Sequence, residues 1–270
     1  MGSAVVQFEI GGPDDQLLAG FYGALFGWEM TPIPGANYTL IAASGTGIGG
    51  GVGRSRTGEP WATFYAEADD PQAVLARAAA LGGTTVVPVT QIPGTLSYAM
   101  LADPDGLLVG VARRAGTEVP AGCARPGGAG APVDWFEVRG SDAGTTRRFY
   151  TALFGWNVVA AAGGYGLVTT GAAHGIAGGL GAGQAARWAT VYARVPDVAQ
   201  ALAQAADLGG SRDYGPEPAA GQPAAITLCY PPSAGLTCAS CSSVLELSVR
   251  FDPLEVCRTA SSVALLSSSE

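Results

Sequence analysis

Apolar residues recur along this chain with two periods. In "VVQFEI" (residues 5–10) they alternate with polar ones, which predicts a half-buried strand. Directly after it, Leu17, Leu18, Phe21, Tyr22, Leu25 and Phe26 return at spacings of three and four, the face of an amphipathic helix. Asp14 or Asp15 caps its start, and Gly27 ends it as a residue that tolerates positive φ. A second helix is predicted from Asp70-Pro71, where proline suits the first helical position, to Leu81 ahead of Gly82-Gly83. "SYAMLADPDGLLVGVAR" then reads as two strands joined by the turn Asp103-Pro104-Asp105-Gly106.

The whole pattern occurs twice. "FYGALFGWEM" at Phe21 returns as "FYTALFGWNV" at Phe149, 128 positions later, with Ser141 or Asp142 as the cap and Gly155 as the stop. Gln7-Phe8-Glu9-Ile10 matches Trp135-Phe136-Glu137-Val138, and "IGGGVG" from Ile48 matches "IAGGLG" from Ile176, both at the same offset. "WATFYAEADD" from Trp61 matches "WATVYARVPD" from Trp188 at 127, followed by a helix from Asp197 to Leu208. Two modules are therefore expected, at 1–113 and 133–231. The Gly/Pro/Ala-rich stretch 114–132 reads as a linker, and 232–270 as a divergent Cys/Ser-rich tail. The aromatic helix end is a scaffold element, packing one apolar face per module on a sheet.

Composition narrows the partners. With 48% hydrophobic and 13% charged residues, most of the chain can bury a core. A net charge of −8 lacks the basic footprint that nucleic acid requires. No leader-like start and no apolar run long enough to span a membrane is present, so a cytoplasmic protein without a membrane partner is expected. Four of five cysteines (Cys229, Cys238, Cys241, Cys257) lie near the end. The lone Cys238-Ala-Ser-Cys241 reads as unpaired thiols rather than a zinc site, which needs about four ligands. The glycine-rich runs open no helix and so do not cradle phosphate; they read as tight β-connections, with lid-like mobility as an alternative. The single histidine, His174, is placed in a loop, and no Ser-His-Asp or Cys-His constellation accompanies it.

Several features occur in one order: a strand ending F-E-I, an Asp-capped helix ending F-Y-x-x-L-F-G-W, a W-x-x-Y strand, a short helix ending L-G-G, and D-P-D-G before a last strand. This order resembles the glyoxalase, or vicinal-oxygen-chelate, superfamily, and in particular its tandem-module, antibiotic-cluster and resistance-type members. The resemblance implies an α+β fold of two tandem βαβββ glyoxalase-like modules forming a cup-shaped mixed sheet. Some members of that family bind a divalent ion in the cup, and others bind a small molecule without metal. The first-strand ligand of metal-dependent relatives falls fifteen residues before the F-Y tyrosine, at Gln7 and Trp135. The mid-module ligand falls at Thr63 and Thr190, and the end-strand glutamate at Gly110. Of these, Gln7 alone can ligate, so no metal and no other cofactor is expected. "SSVLELSVRF" offers Glu246 as a displaced end-strand ligand; the competing reading, that everything after about Tyr230 is foreign to the family, is preferred.

If the ligand position faces the cup, strand alternation turns Gln7, Glu9, Thr63 and Tyr65 inward in the first module. Trp135, Glu137, Arg139, Thr190 and Tyr192 turn inward in the second, with Tyr38 and Tyr165 at corresponding points. An aromatic wall with a few polar groups suits a drug-sized, planar ligand. A carboxylate facing inward needs a partner or water, so Glu9 and Glu137 either act as general bases or pair with Arg139. The expected function is metal-free binding of an aromatic or polyketide-like small molecule in secondary metabolism or resistance. The alternative is an enzyme of the same superfamily, using Glu9 and Glu137 as acid–base groups or, less in keeping with the residues, a metal-dependent lyase or dioxygenase. A monomer or a homodimer is compatible with either.

Overall fold

The computed structural model describes residues 2–114, 128–183, 187–212, 228–229 and 244–247. The first copy builds β1 (Val5–Gly12), α1 (Asp15–Phe26), β2 (Met30–Pro32), β3 (Tyr38–Ile41) and β4 (Gly49–Arg54). It then repeats the same order as β5 (Trp61–Glu67), α2 (Pro71–Ala80), β6 (Thr84–Ile92), β7 (Leu96–Ala102) and β8 (Leu108–Arg114). The βαβββ order thus occurs twice within one copy, and the eight strands join in one mixed sheet, β2-β3-β4-β1-β5-β8-β7-β6. The sheet is open at both ends.

The second copy supplies β9 (Val133–Gly140), α3 (Ala143–Phe154), β10 (Asn157–Ala160), β11 (Gly166–Thr169), β12 (Ala177–Ala182), β13 (Trp188–Arg194) and α4 (Val198–Asp207). Its sheet order, β10-β11-β12-β9-β13, matches β2-β3-β4-β1-β5. β14 (Ser211–Arg212) pairs with β15 (Leu228–Cys229), and a sixth strand of the sheet, β16 (Val244–Leu247), lies beside β13 where β8 lies beside β5. There Glu246 pairs with Tyr192, as Gly110 pairs with Tyr65, but β16 runs antiparallel and β8 parallel. The Cys238/Cys241 pair and Cys257 lie outside the described residues.

The helices form where caps and apolar faces coincide. Asp14 accepts from the Gln16 and Leu17 amides, Asp142 from Thr145, Asp70 from Gln72 and Ala73, and Asp197 from Gln200. Gly27 and Gly155 close α1 and α3 at φ 66° and 68°. Leu17, expected on the buried face of α1, is instead 56% exposed; Leu18, Phe21, Tyr22, Leu25 and Phe26 make the face.

The glycine-rich runs are not connections but the strands β4 and β12. Each ring of the neighbouring strand lies flat over a glycine: Phe8 over Gly50 and Tyr38 over Gly51, Phe136 over Gly178 and Tyr165 over Gly179. A β-carbon at any of the four would stand inside the ring. The glycines admit large side chains on both faces of one strand.

One apolar core runs through both modules. Phe64 and Phe136, one from each, have ring centroids 4.7 Å apart, and Trp156 packs on both. The repeated aromatic motif supplies the junction as well as the helix face. Trp28 Nε1 donates to the Ala131 carbonyl, and Trp156 Nε1 to the Ser3 carbonyl, each at 2.7 Å. Backbone bonds repeat the reciprocity, Ala131 N to Phe26 O and Ser3 N to Phe154 O, both at 2.9 Å. So do the bridges Val5–Ile176 and Ile48–Val133. Residues 128–132 of the expected linker take part in these contacts with the first module. Among the described residues no helix is long and apolar enough to cross a membrane.

Candidate functional site

Strand register decides which side chains share the inner face. Gln7 stands opposite Tyr65, Tyr65 beside Gly110, and Gly110 opposite Met100. Thr63 lies two pairs further along, opposite Glu9. Its hydroxyl is tied to the Leu108 carbonyl at 2.6 Å, and the residue is wholly buried. Tyr65 donates to Glu9 in a short hydrogen bond, and Gln7 Nε2 reaches the Tyr38 hydroxyl at 3.5 Å. Gln7, Glu9, Tyr38, Thr63 and Tyr65 are therefore brought together in the first cup. Tyr98 on β7 belongs with them, since its field acts on Tyr65. Sequence reasoning missed Tyr98, although the alternation of "SYAML" puts it on the same face as Met100.

The second cup assembles the corresponding side chains with more bonds. Tyr192 donates to Glu137 in a short hydrogen bond. Arg139 grips the other oxygen of Glu137 through Nε and Nη2, both at 2.8 Å. The Arg139 guanidinium also lies 4.6 Å from the centre of the Tyr165 ring. Burial, with the nearby Glu137 charge adding to it, pushes the Tyr165 phenol well above its ordinary range. Thr190 sits opposite Glu137 and is wholly buried. Arg139 has no counterpart in the first cup, where Gly11 occupies that place and the Trp61 ring lies over it. Trp188 pairs with Arg139 across the strands, and its indole N–H is buried without a hydrogen-bond partner among the described residues.

Glu9 and Glu137 do not share a site. Phe8 and Phe136 point into the common core, so their chain neighbours Glu9 and Glu137 face out of opposite sheets. The carboxylates lie in two separate cups.

Burial pushes the Glu9 carboxyl up to about 7, with the Tyr65 bond opposing it. Burial, with the Glu9 charge adding to it, holds the Tyr65 phenol well above its ordinary range. A further buried carboxylate lies at the module junction. Asp103 accepts the Asp105 and Leu107 amides at 2.9 Å and the Tyr150 hydroxyl of the other module at 3.1 Å. Burial raises it to about 6, against the pull of those bonds. Neighbouring Asp105 takes Ser141 and Arg187, and His174 pairs with Glu67 at 2.7 Å, all across the modules. His174 is an exposed loop residue, as the sequence suggests.

The similarity to known proteins follows this architecture. A Mn(II)-bound glyoxalase from Novosphingobium aromaticivorans superposes with a TM-score of 0.57 at 18% identity, covering 91% of this chain and 81% of that one. The 2,3-dioxygenase LapB from Pseudomonas sp. KL28 gives 0.55 at 13% identity, covering 94% and 96%. The fold is that of the glyoxalase, or vicinal-oxygen-chelate, superfamily. The chain is also 30% identical over 167 residues to the anthracycline biosynthesis protein DauV of Streptomyces sp. strain C5, covering 55% of this chain. That match spans 59% of the relative's own length. No protein-family model matches the chain.

The name of the fold raises the question of a chelated metal, and the side chains present do not fit one. In the row containing Gln7, the neighbouring positions hold Tyr65 and Gly110, and the Tyr65 ring covers the α-carbon of Gly110. A side chain at residue 110 could not enter the cup without displacing that ring. Among the described residues no three His, Cys, Asp or Glu side chains gather in a group that could hold a metal ion.

Proposed function

We propose that this protein binds an aromatic or polyketide-like small molecule in its vicinal-oxygen-chelate cup, without a chelated metal, within secondary metabolism or resistance. The observation that carries this reading is the Tyr65 ring over Gly110, hydrogen-bonded to Glu9. The phenol ring stands between Gln7 and Gly110, and its hydroxyl reaches the Glu9 carboxyl beside that row. The floor is aromatic (Tyr38, Tyr65, Tyr98) with few polar groups, the composition of sites for planar ligands. The similarity to an anthracycline biosynthesis protein supports the ligand class, and the compartment proposed is the cytoplasm.

Metal analysis of purified protein, paired with calorimetric titration of hydroxylated polycyclic aromatics, tests the proposal. Saturable binding by protein that carries no stoichiometric Fe, Mn, Ni or Zn is expected. A bound metal that is lost on Gln7→Ala, with ligand binding lost alongside it, would sink it.

A second reading, acid–base catalysis on the bound ligand, is favoured by one observation. Glu9, raised to about 7, can take or give a proton near neutral pH. Turnover of a bound ligand that disappears in Glu9→Gln would decide for the enzyme; an unchanged ligand after prolonged incubation would decide for binding alone.

A further inference from the structure

The two cups descend from one sequence pattern, yet their carboxylates stand in different surroundings. Glu137 is 3% exposed. One of its oxygens is held by two nitrogens of Arg139 and the other by the Tyr192 hydroxyl. A carboxylate offers about four lone-pair sites, and these donors claim three of them. Any ligand approaching Glu137 would have to compete with the buried Arg139 pair, and breaking that pair leaves an uncompensated charge.

Glu9 keeps part of its surface open to solvent. Tyr65 occupies Oε2, while Oε1 faces Gly53, 3.5 Å from where a β-carbon would stand. No cation occupies the place of Arg139, because that residue is Gly11. Arg139 braces Glu137 in the second cup, whereas in the first cup the Trp61 ring covers Gly11 and, among the described residues, no arginine pairs with Glu9.

Building on the proposed binding function, we infer that the first cup alone receives the ligand and that Glu9 meets it by accepting a ligand hydroxyl proton in a hydrogen bond. The second cup is a braced counterpart, in which Glu137 is a positioning residue that holds Arg139 and Tyr192 in place. The ligand class that follows is a hydroxylated aromatic, a donor to Glu9 with a face to lie on Tyr38 and Tyr98. A carboxylate bearing its own arginine would have no such preference.

Two measurements on the full chain test the assignment. Carbodiimide coupling to glycine ethyl ester, mapped by mass spectrometry, reads carboxylate access without any ligand. Glu9 is expected to label at least tenfold faster than Glu137; equal rates would overturn the inference. Titration with 1,5-dihydroxynaphthalene and its dimethoxy ether then reads the contact. One site per chain is expected, with affinity for the diol weakened about tenfold by Glu9→Gln and by methylation, and changed less than threefold by Glu137→Gln. Two equivalent sites, or equal losses in the two variants, would also overturn it. Should Glu137→Gln unfold the chain, Tyr192→Phe, which removes one bond to Glu137 and keeps the Arg139 pair, serves in its place, with the same small change expected. If neither probe binds while Glu9 alone is labelled, the asymmetry of the cups stands and the binding function falls.

Discussion

At the level of single residues, Glu9 is the group whose behaviour is most constrained by its surroundings. Its carboxyl is raised from 4.5 to about 7, so the folded chain retains a proton that the unfolded chain releases within that interval. Stability from this group is complete at the acid end and is lost as pH rises through about 7. Glu9→Gln, which cannot ionise, should flatten that decline. Urea denaturation at pH 4.5 and 7.5 should show the variant gaining on the wild type at the higher pH; a constant difference would refute the raised pKa. The identity of Glu9 and its inward direction were both legible in the sequence from alternation. Its partner was not, because whether Tyr65 or Thr63 meets Glu9 by hydrogen bond depends on side-chain reach across the sheet. Register places Thr63 directly opposite, yet Tyr65, two pairs away on the same face, makes the bond.

Among the elements, β4 and β12 show how a glycine-rich sequence can be misread. Alternation cannot announce a strand whose residues have no side chains, so "IGGGVG" looked like a connection. The explanation lies in its neighbours, since Phe8 and Tyr38 need the space that β-carbons would take. Gly51→Ala should therefore displace the Tyr38 ring and cost about 1–3 kcal/mol by overpacking. The same substitution at Gly58, an exposed turn position with φ 81°, meets no neighbour and suffers from backbone strain alone. Chemical denaturation of Gly51→Ala and of a Gly51→Ala/Tyr38→Ala pair separates the two causes, because trimming the ring should restore part of the loss. The helices, in contrast, were readable almost to the residue. Asp caps, periodic apolar faces and a left-handed glycine are local signals that tertiary context did not override.

For the whole molecule, the duplication was plain in the sequence, but its mode of packing was not. The motif "FGW" carries two instructions, an apolar helix end and an indole donor. The second becomes visible only when the other module's carbonyl is in reach. Trp156→Phe should retain the ring packing and lose the bond to Ser3, at a cost of roughly 1 kcal/mol. Because one core serves both modules, the loss should lower a single unfolding transition rather than that of the second module alone. Calorimetry that resolves two separate transitions would contradict the shared core.

The paired tryptophan bonds also bear on how such a chain could arise. Ser3 and Trp28 lie in the first copy, and Ala131 and Trp156 are their equivalents in the second. Each copy thus holds both halves of the same contact, donor and acceptor. Two identical free-standing copies could meet through it about a twofold axis, with every bond made twice. The tandem polypeptide is that symmetric pair joined end to end. Joining freed the two cups from identity, so one carries an arginine where the other carries a glycine.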